Sequence, residues 1–231
     1  MSHHHHENEV GHMENLEHKH TMYGELACHL PYAVFSVAFS LIVLSLLTFI
    51  GIDKDVYRLR CVWDQLFHNF HFVHIVFASI GTLITFFRFS NNVLKGLIVG
   101  FFSASTFCIL SDIVIPYIGG VMLGVPMKLH VCFTTELHNI LPFLLVGLFT
   151  GVVMRSHTAQ DKSYFSLWSH FTHIFVSSLA SSFYMVSHGF YDWESQIGYV
   201  FLVLILAVVI PCTLSDVVVP LFFANSGKGK K

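Results

Sequence analysis

Long apolar stretches alternate along this chain with short polar or turn-rich pieces. Six stretches, approximately Cys28–Ile52, Phe67–Phe87, Gly96–Tyr117, Leu137–Met154, Leu167–His188 and Ile197–Phe223, come close to the roughly 20 apolar residues that cross a bilayer core. They are separated by Asp53-Lys54-Asp55, Asn91-Asn92, Gly119-Gly120 through Lys128, Arg155 to Lys162, and Asp192 to Gln196. The pattern predicts an all-α integral membrane protein with six transmembrane helices, and an even number of spans puts both termini on one side. Ahead of the first stretch lies a long His/Glu-rich segment rather than the arrangement of a cleavable leader.

Composition agrees. Hydrophobic residues make up 54% of the 231 residues and charged residues 11%, against about 25% charged in soluble domains. So few charges cannot wrap a core of that size, which excludes a soluble monomer and names the lipid bilayer as a partner. A net charge of −2 leaves no basic field for nucleic acid. Eight cationic residues (Lys19, Arg88, Lys95, Arg155, Lys162, Lys228, Lys230, Lys231) fall on the side of the termini and four (Lys54, Arg58, Arg60, Lys128) on the other. The positive-inside tendency therefore places both termini in the cytoplasm.

The chain also resembles itself. Glu25-Leu26-Ala27-Cys28-His29-Leu30-Pro31 matches Glu136-Leu137-His138-Asn139-Ile140-Leu141-Pro142, 111 residues on. His71-Phe72-Val73-His74 matches His170-Phe171-Thr172-His173, 99 residues on, and Cys108-Ile109-Leu110-Ser111-Asp112-Ile113-Val114-Ile115-Pro116 matches Cys212-Thr213-Leu214-Ser215-Asp216-Val217-Val218-Val219-Pro220, 104 residues on. Three patterns in the same order predict a duplicated three-helix unit. The reading is a His/Glu-rich cytoplasmic tail over 1–24, a first repeat over 25–124, a second over 125–223 and a basic tail over 224–231. Because three is odd, the second copy enters the membrane from the opposite face. The halves are then inverted repeats, an arrangement common in secondary transporters.

The residues shared by the copies are mostly Glu, His, Asp, Cys and Pro. Acids inside a span are costly and usually partnered. His71 and His74 share a helix face, as do His170 and His173, and Cys108/Asp112 and Cys212/Asp216 lie four apart on one face. Imidazole pairs with a carboxylate, and optionally a thiolate, are ligands for zinc, iron, manganese, cobalt or nickel. Pro116 and Pro220 each lack the amide that would bond a carbonyl four residues earlier, at Asp112 and Asp216. From depth along the spans, an outer metal site is expected from His71, His74, Asp112 and Glu136, with Cys108 or His138 as additions. Inversion gives an inner site of His170, His173, Asp216 and Glu25, with Cys212 or His29. Each site would draw its Glu from the other half. His68, His130, His157 and His188 have no counterpart in the other copy and read as interfacial.

Seven histidines interleaved with four glutamates in the first 22 residues read as a flexible, weakly metal-binding tract that is mostly native. Enzyme signatures such as H-E-x-x-H, G-x-S-x-G, a Walker loop or a dinucleotide glycine pattern are absent. The leading expectation is a transporter or channel for a divalent transition-metal cation, with the ion as its partner. The alternatives are a membrane metalloenzyme acting on a lipid-soluble substrate, and a haem-binding membrane subunit. The sequence leaves the metal, the direction and the oligomeric state open, a homo-oligomer included.

Overall fold

The computed structural model is helical throughout its regular structure and describes residues 22–51, 56–156 and 159–226, with side chains described over 29–51, 60–156 and 168–226. Helix α1 is Met22–Gly51, α2 Val56–Phe89 and α3 Val93–Ile109. A widened π turn, Leu110–Val114, joins α3 to α4, Ile115–Met122. The short α5, Cys132–Thr135, precedes α6, Leu137–Val153, and α7, Ala159–Ser187. Helix α8, Ile197–Thr213, runs through a second π turn, Leu214–Val218, into α9, Val219–Asn225. The His/Glu tract before residue 22 lies outside the described residues, as do the side chains of seven cationic residues used for orientation (Lys19, Lys54, Arg58, Lys162, Lys228, Lys230, Lys231).

Among the described residues, five stretches are long and apolar enough to cross a membrane: His29–Gly51, Arg60–Phe89, Val93–Met122, Leu137–Ser156 and Trp193–Asn225. The expected fifth span falls on α7, which is not among them. Serines and histidines dilute its apolar character, and the reason lies in its position. Ser177, Ser178, Ser181 and Ser182 are buried, and α7 makes its most extensive packing with α2, followed by α1 and α8. Its polar residues line the inside of the bundle, where neighbouring helices supply partners.

The outer helices show the opposite face. On α1 the stripe Phe35, Phe39, Ile42, Leu46 and Phe49 is exposed while Ala33, Val37, Ser40, Leu41 and Leu44 are buried. An apolar stripe turned outward at helical spacing suits a surrounding of lipid rather than water. Small residues bring the helices together. Gly147 and Gly151 of α6 face α2, and a Cβ on Gly147 would meet the backbone carbonyl of Val76 at 2.7 Å. Such close backbone approach is the usual basis of helix association in membranes, where lipid removes the hydrophobic drive. Hydroxyls supply the rest, as in the Ser40–Ser182 pair at 3.0 Å.

Both π turns enclose the motif Leu-Ser-Asp ahead of a proline, and the proline explains them. In the first, the amide of Ile115 bonds the carbonyl of Leu110, five residues back. The next residue, Pro116, has no amide to give, so the carbonyl of Ser111 loses its helical partner. The hydroxyl of Ser181 donates to it at 3.1 Å. In the second turn the amide of Val219 bonds Leu214. There the carbonyl of Ser215 accepts from Thr82 at 3.0 Å and from Ser103 at 3.3 Å. The carbonyl of the serine before each Asp is thus taken up by hydroxyls of neighbouring helices. Helix α7 relieves the first turn and α2 the second.

Candidate metal centre

Helix α2 carries His71 and His74 one turn apart, and the π turn beside it aims Asp112 at both. His71 Nδ1 and His74 Nδ1 lie 2.8 and 2.7 Å from the same oxygen, Asp112 Oδ2. On the other side of the bundle α7 carries His170 and His173, whose Nδ1 atoms lie 2.9 and 2.7 Å from Asp216 Oδ2. Asp112, Asp216, His71, His74 and His173 are buried and His170 is partly so. In each half the ligand-type atoms of His, His and Asp fall within 4.8 Å of one another.

These contacts are hydrogen bonds. Two ligands on one tetrahedral ion, each at about 2.0 Å, stand about 3.3 Å apart, well beyond the 2.7–2.9 Å found here. An ionised carboxylate only accepts, so Nδ1–H donates in all four histidines, and in the neutral ring Nε2 carries the lone pair. A carboxylate that fixes a histidine's tautomer and ring orientation is the usual support of a metal-ligating imidazole.

The two Asp residues differ in their second oxygens. Asp112 Oδ1 accepts from Ser111 at 2.8 Å and from Ser177 at 2.8 Å. Asp216 Oδ1 is buried without a hydrogen-bond partner. The 99-residue offset that relates the His pairs sets Ala78 where the other copy has Ser177, so one hydroxyl is missing. His71 Nε2, His170 Nε2 and His68 Nε2 are also buried without a partner. Buried polar atoms left unpaired are rare and call for a ligand or a functional role.

The two constellations meet in the middle. The rings of His74 and His173 lie 4.5 Å apart between centroids, and Cys212 Sγ stands 4.0 Å from His74 Nε2. His74, His173 and Cys212 form a third group whose ligand atoms lie within 4.8 Å, all buried. Cys108 is close enough to His74 to interact with it electrostatically, as Cys212 is with His173. A line of polar groups therefore runs from His71 through Asp112, His74, His173 and Asp216 to His170. His29 extends it at the end near the termini, its buried ring edge-on to His170 at 4.0 Å.

The two glutamates are not gathered into these groups. Glu136 is half-buried, accepts from the Asn139 side chain at 2.6 Å and lines a separate cavity. No described hydrogen bond joins it to His71, His74 or Asp112. His138, beside it, is exposed. The side chain of Glu25 lies outside those described.

His68, His130 and His188, which read as interfacial in the sequence with His130 and Cys132 as vestibule residues, come together in the structure. The three histidines line a cavity of about 520 Å³ with Arg60, Asp64 and Glu136. His130 stacks on His188 and meets His68 edge-on, each at 5.6 Å. His68, His130 and Cys132 bring ligand atoms within 4.8 Å. Cys132 is a free thiol that burial pushes up to about 12. One signal was available: His68 precedes His71 by one turn, so His68, His71 and His74 share a face. The partners His130 and His188 arrive from distant loops and leave no trace in spacing.

Comparison with protein families, with characterised proteins and with solved structures finds no match for this chain, so its function is argued from its own geometry.

Proposed function

We propose that this chain is a transporter or channel for a divalent transition-metal cation. In this reading two inverted three-helix repeats, 25–124 and 125–223, span the membrane six times with α7 as the fifth span and both termini cytoplasmic. His71, His74 and Asp112 form the outer station of the ion's path, and His170, His173 and Asp216 the inner one. Glu136 acts as a mouth residue and Glu25 as its inner counterpart, with His138, His29, Cys108 and Cys212 as accessory donors. The observation that carries the reading is the same His–His–Asp constellation occurring twice, with the two constellations touching through His74 and His173.

Charge supports it. Two carboxylates inside an apolar bundle favour a cation beside them, because buried charge without compensation is very costly. The unpartnered Asp216 Oδ1 is suited to such an ion. Exchange of hydroxyls across the halves, Thr82 to the second π turn and Ser181 to the first, fits repeats that rock against each other about a shared centre. A membrane metalloenzyme would need only one open site, whereas both constellations are kept. A second reading draws on the short bonds from His71 through Asp112 to His74, and from His173 through Asp216 to His170, which suit a proton relay.

Flux separates the two. Purified protein in lipid vesicles with a trapped metal-sensitive dye should admit zinc or cobalt much faster than protein-free vesicles do. A lumen that changes pH while the dye stays silent would favour the proton relay and overturn metal transport.

A further inference from the structure

The His–His–Asp constellations leave unexplained the two thiols at the point where the halves meet. Cys108 lies one turn before Asp112 and Cys212 one turn before Asp216, so each π turn delivers a thiol and a carboxylate on the same side. Both thiols are free and buried. Aspartate hydrogen bonds turn His74 Nδ1 and His173 Nδ1 outward, toward the two ends of the bundle, and this leaves both Nε2 lone pairs for the centre. One distance there is near that of a shared ion: nitrogen and sulfur ligands of a tetrahedral ion, bonded at about 2.0 and 2.3 Å, stand about 3.5 Å apart. His74 Nε2 and Cys212 Sγ, at 4.0 Å, need close by only about half an ångström.

We propose a central metal site, formed by His74 Nε2, His173 Nε2 and Cys212 Sγ, which already lie within 4.8 Å of one another, with Cys108 Sγ drawn in from outside that group as the fourth ligand, that takes a borderline thiolate-seeking divalent ion such as zinc or cobalt rather than manganese or magnesium. It rests on the transport reading for its role as the crossing point, but as a binding site it stands alone. Two thiols lose their protons to bulk water as the ion binds, and two thiolates then balance its two positive charges. The loaded centre is neutral, which suits the dry interior of a bundle. Asp112 and Asp216 serve this site as positioning residues, each holding one of its imidazoles by Nδ1. Imidazole and thiolate donors favour zinc-like ions, while manganese and magnesium prefer carboxylate and water. One central site with two nitrogens and two sulfurs also explains why the thiols recur in both copies.

Cobalt(II) titration of the detergent-purified full chain tests this directly, because a thiolate bound to tetrahedral cobalt gives a near-ultraviolet charge-transfer band that imidazole and carboxylate do not. The N-terminal histidines therefore contribute nothing to it. The wild type should show the band. Cys108→Ser and Cys212→Ser should each lower it by about half, and the double variant should abolish it. Cys28→Ser, Cys61→Ser and Cys132→Ser should leave it intact. His74→Gln should keep the band but move the visible cobalt transitions, which guards against a thiol variant that merely misfolds. Zinc should displace the cobalt. No charge-transfer band in the wild type, or a band that survives the double variant and vanishes with Cys132→Ser, overturns the proposal. Failure of the transport reading looks different: the band would be present in a protein that moves no metal across vesicles.

Discussion

Asp112→Asn and Asp216→Asn should each cut metal flux by about 100-fold or more. Removing a hydrogen-bonding support from behind a metal-ligating histidine already costs about 10–100-fold in affinity or activity, and each of these carboxylates supports two histidines at once. Asparagine keeps one accepting oxygen and the shape of the side chain. It loses the charge that favours a cation, and its amide presents hydrogens to imidazoles that are themselves donating. Because the stations lie in series along one path, the double variant should be no slower than the slower single one. The side chain keeps its volume, so helix content by circular dichroism should be unchanged. Zinc uptake into vesicles is the measurement, and near-wild-type flux in both single variants would contradict the roles given to Asp112 and Asp216.

Gly81→Ala should lower flux about tenfold without touching any ligand. A Cβ at this position would stand 2.7 Å from Asp216 Oδ2 and 2.9 Å from Oδ1. Elsewhere a side-chain tip yields cheaply, but this one is short, buried and held by His170 and His173. Over-packing of this kind typically costs about 1–3 kcal/mol, and a rotation of the carboxylate away from the two imidazoles is the obvious relief. Alanine forms helix better than glycine by about 1 kcal/mol, so a loss of flux would not come from weakening α2. The effect should fall on one half: bound metal near His170 and His173 should drop while that near His71 and His74 persists. A Gly81→Ala protein with wild-type flux would show that Asp216 has freedom the packing denies it.

Much of this centre was legible in the chain because it is written within single helices. His71 and His74, and His170 and His173, are one turn apart and had to share a face, whatever the rest did. The Leu-Ser-Asp and proline spacing announced a disturbed turn, but regular helical spacing put the unpaired carbonyl on Asp112 and Asp216. The π geometry also takes the helical amide from the carbonyls of Ser111 and Ser215, because a five-residue bond shifts the pairing by one. Convergence between distant segments was hidden. Cys212 meets His74 across 138 residues of sequence, so the spacing argument assigned Cys108 and Cys212 to separate sites rather than a common centre. Glu136 shared a repeat pattern with Glu25, yet it sits at a cavity mouth, because the start of α6 lies at the end of the bundle. His29 stands on His170 although its counterpart in the other copy, 111 residues on, is Ile140.

The long helices divide the same way. Five are announced by continuous apolar runs. The polar residues of α7 make sense only after folding, when they are turned inward onto α2, the first π turn and α1. A buried helix in a membrane bundle needs no lipid-facing stripe of its own over much of its surface, so hydropathy along the chain understates it.

Anomalous X-ray scattering from zinc-loaded crystals of the full chain tests the metal path most directly. The expected result is zinc density inside the bundle, within bonding distance of His74 or His173 and extending toward Asp112 and Asp216. Zinc bound only by the N-terminal histidines or by the His68, His130 and Cys132 mouth, with no zinc density beside the interior histidines, would contradict it.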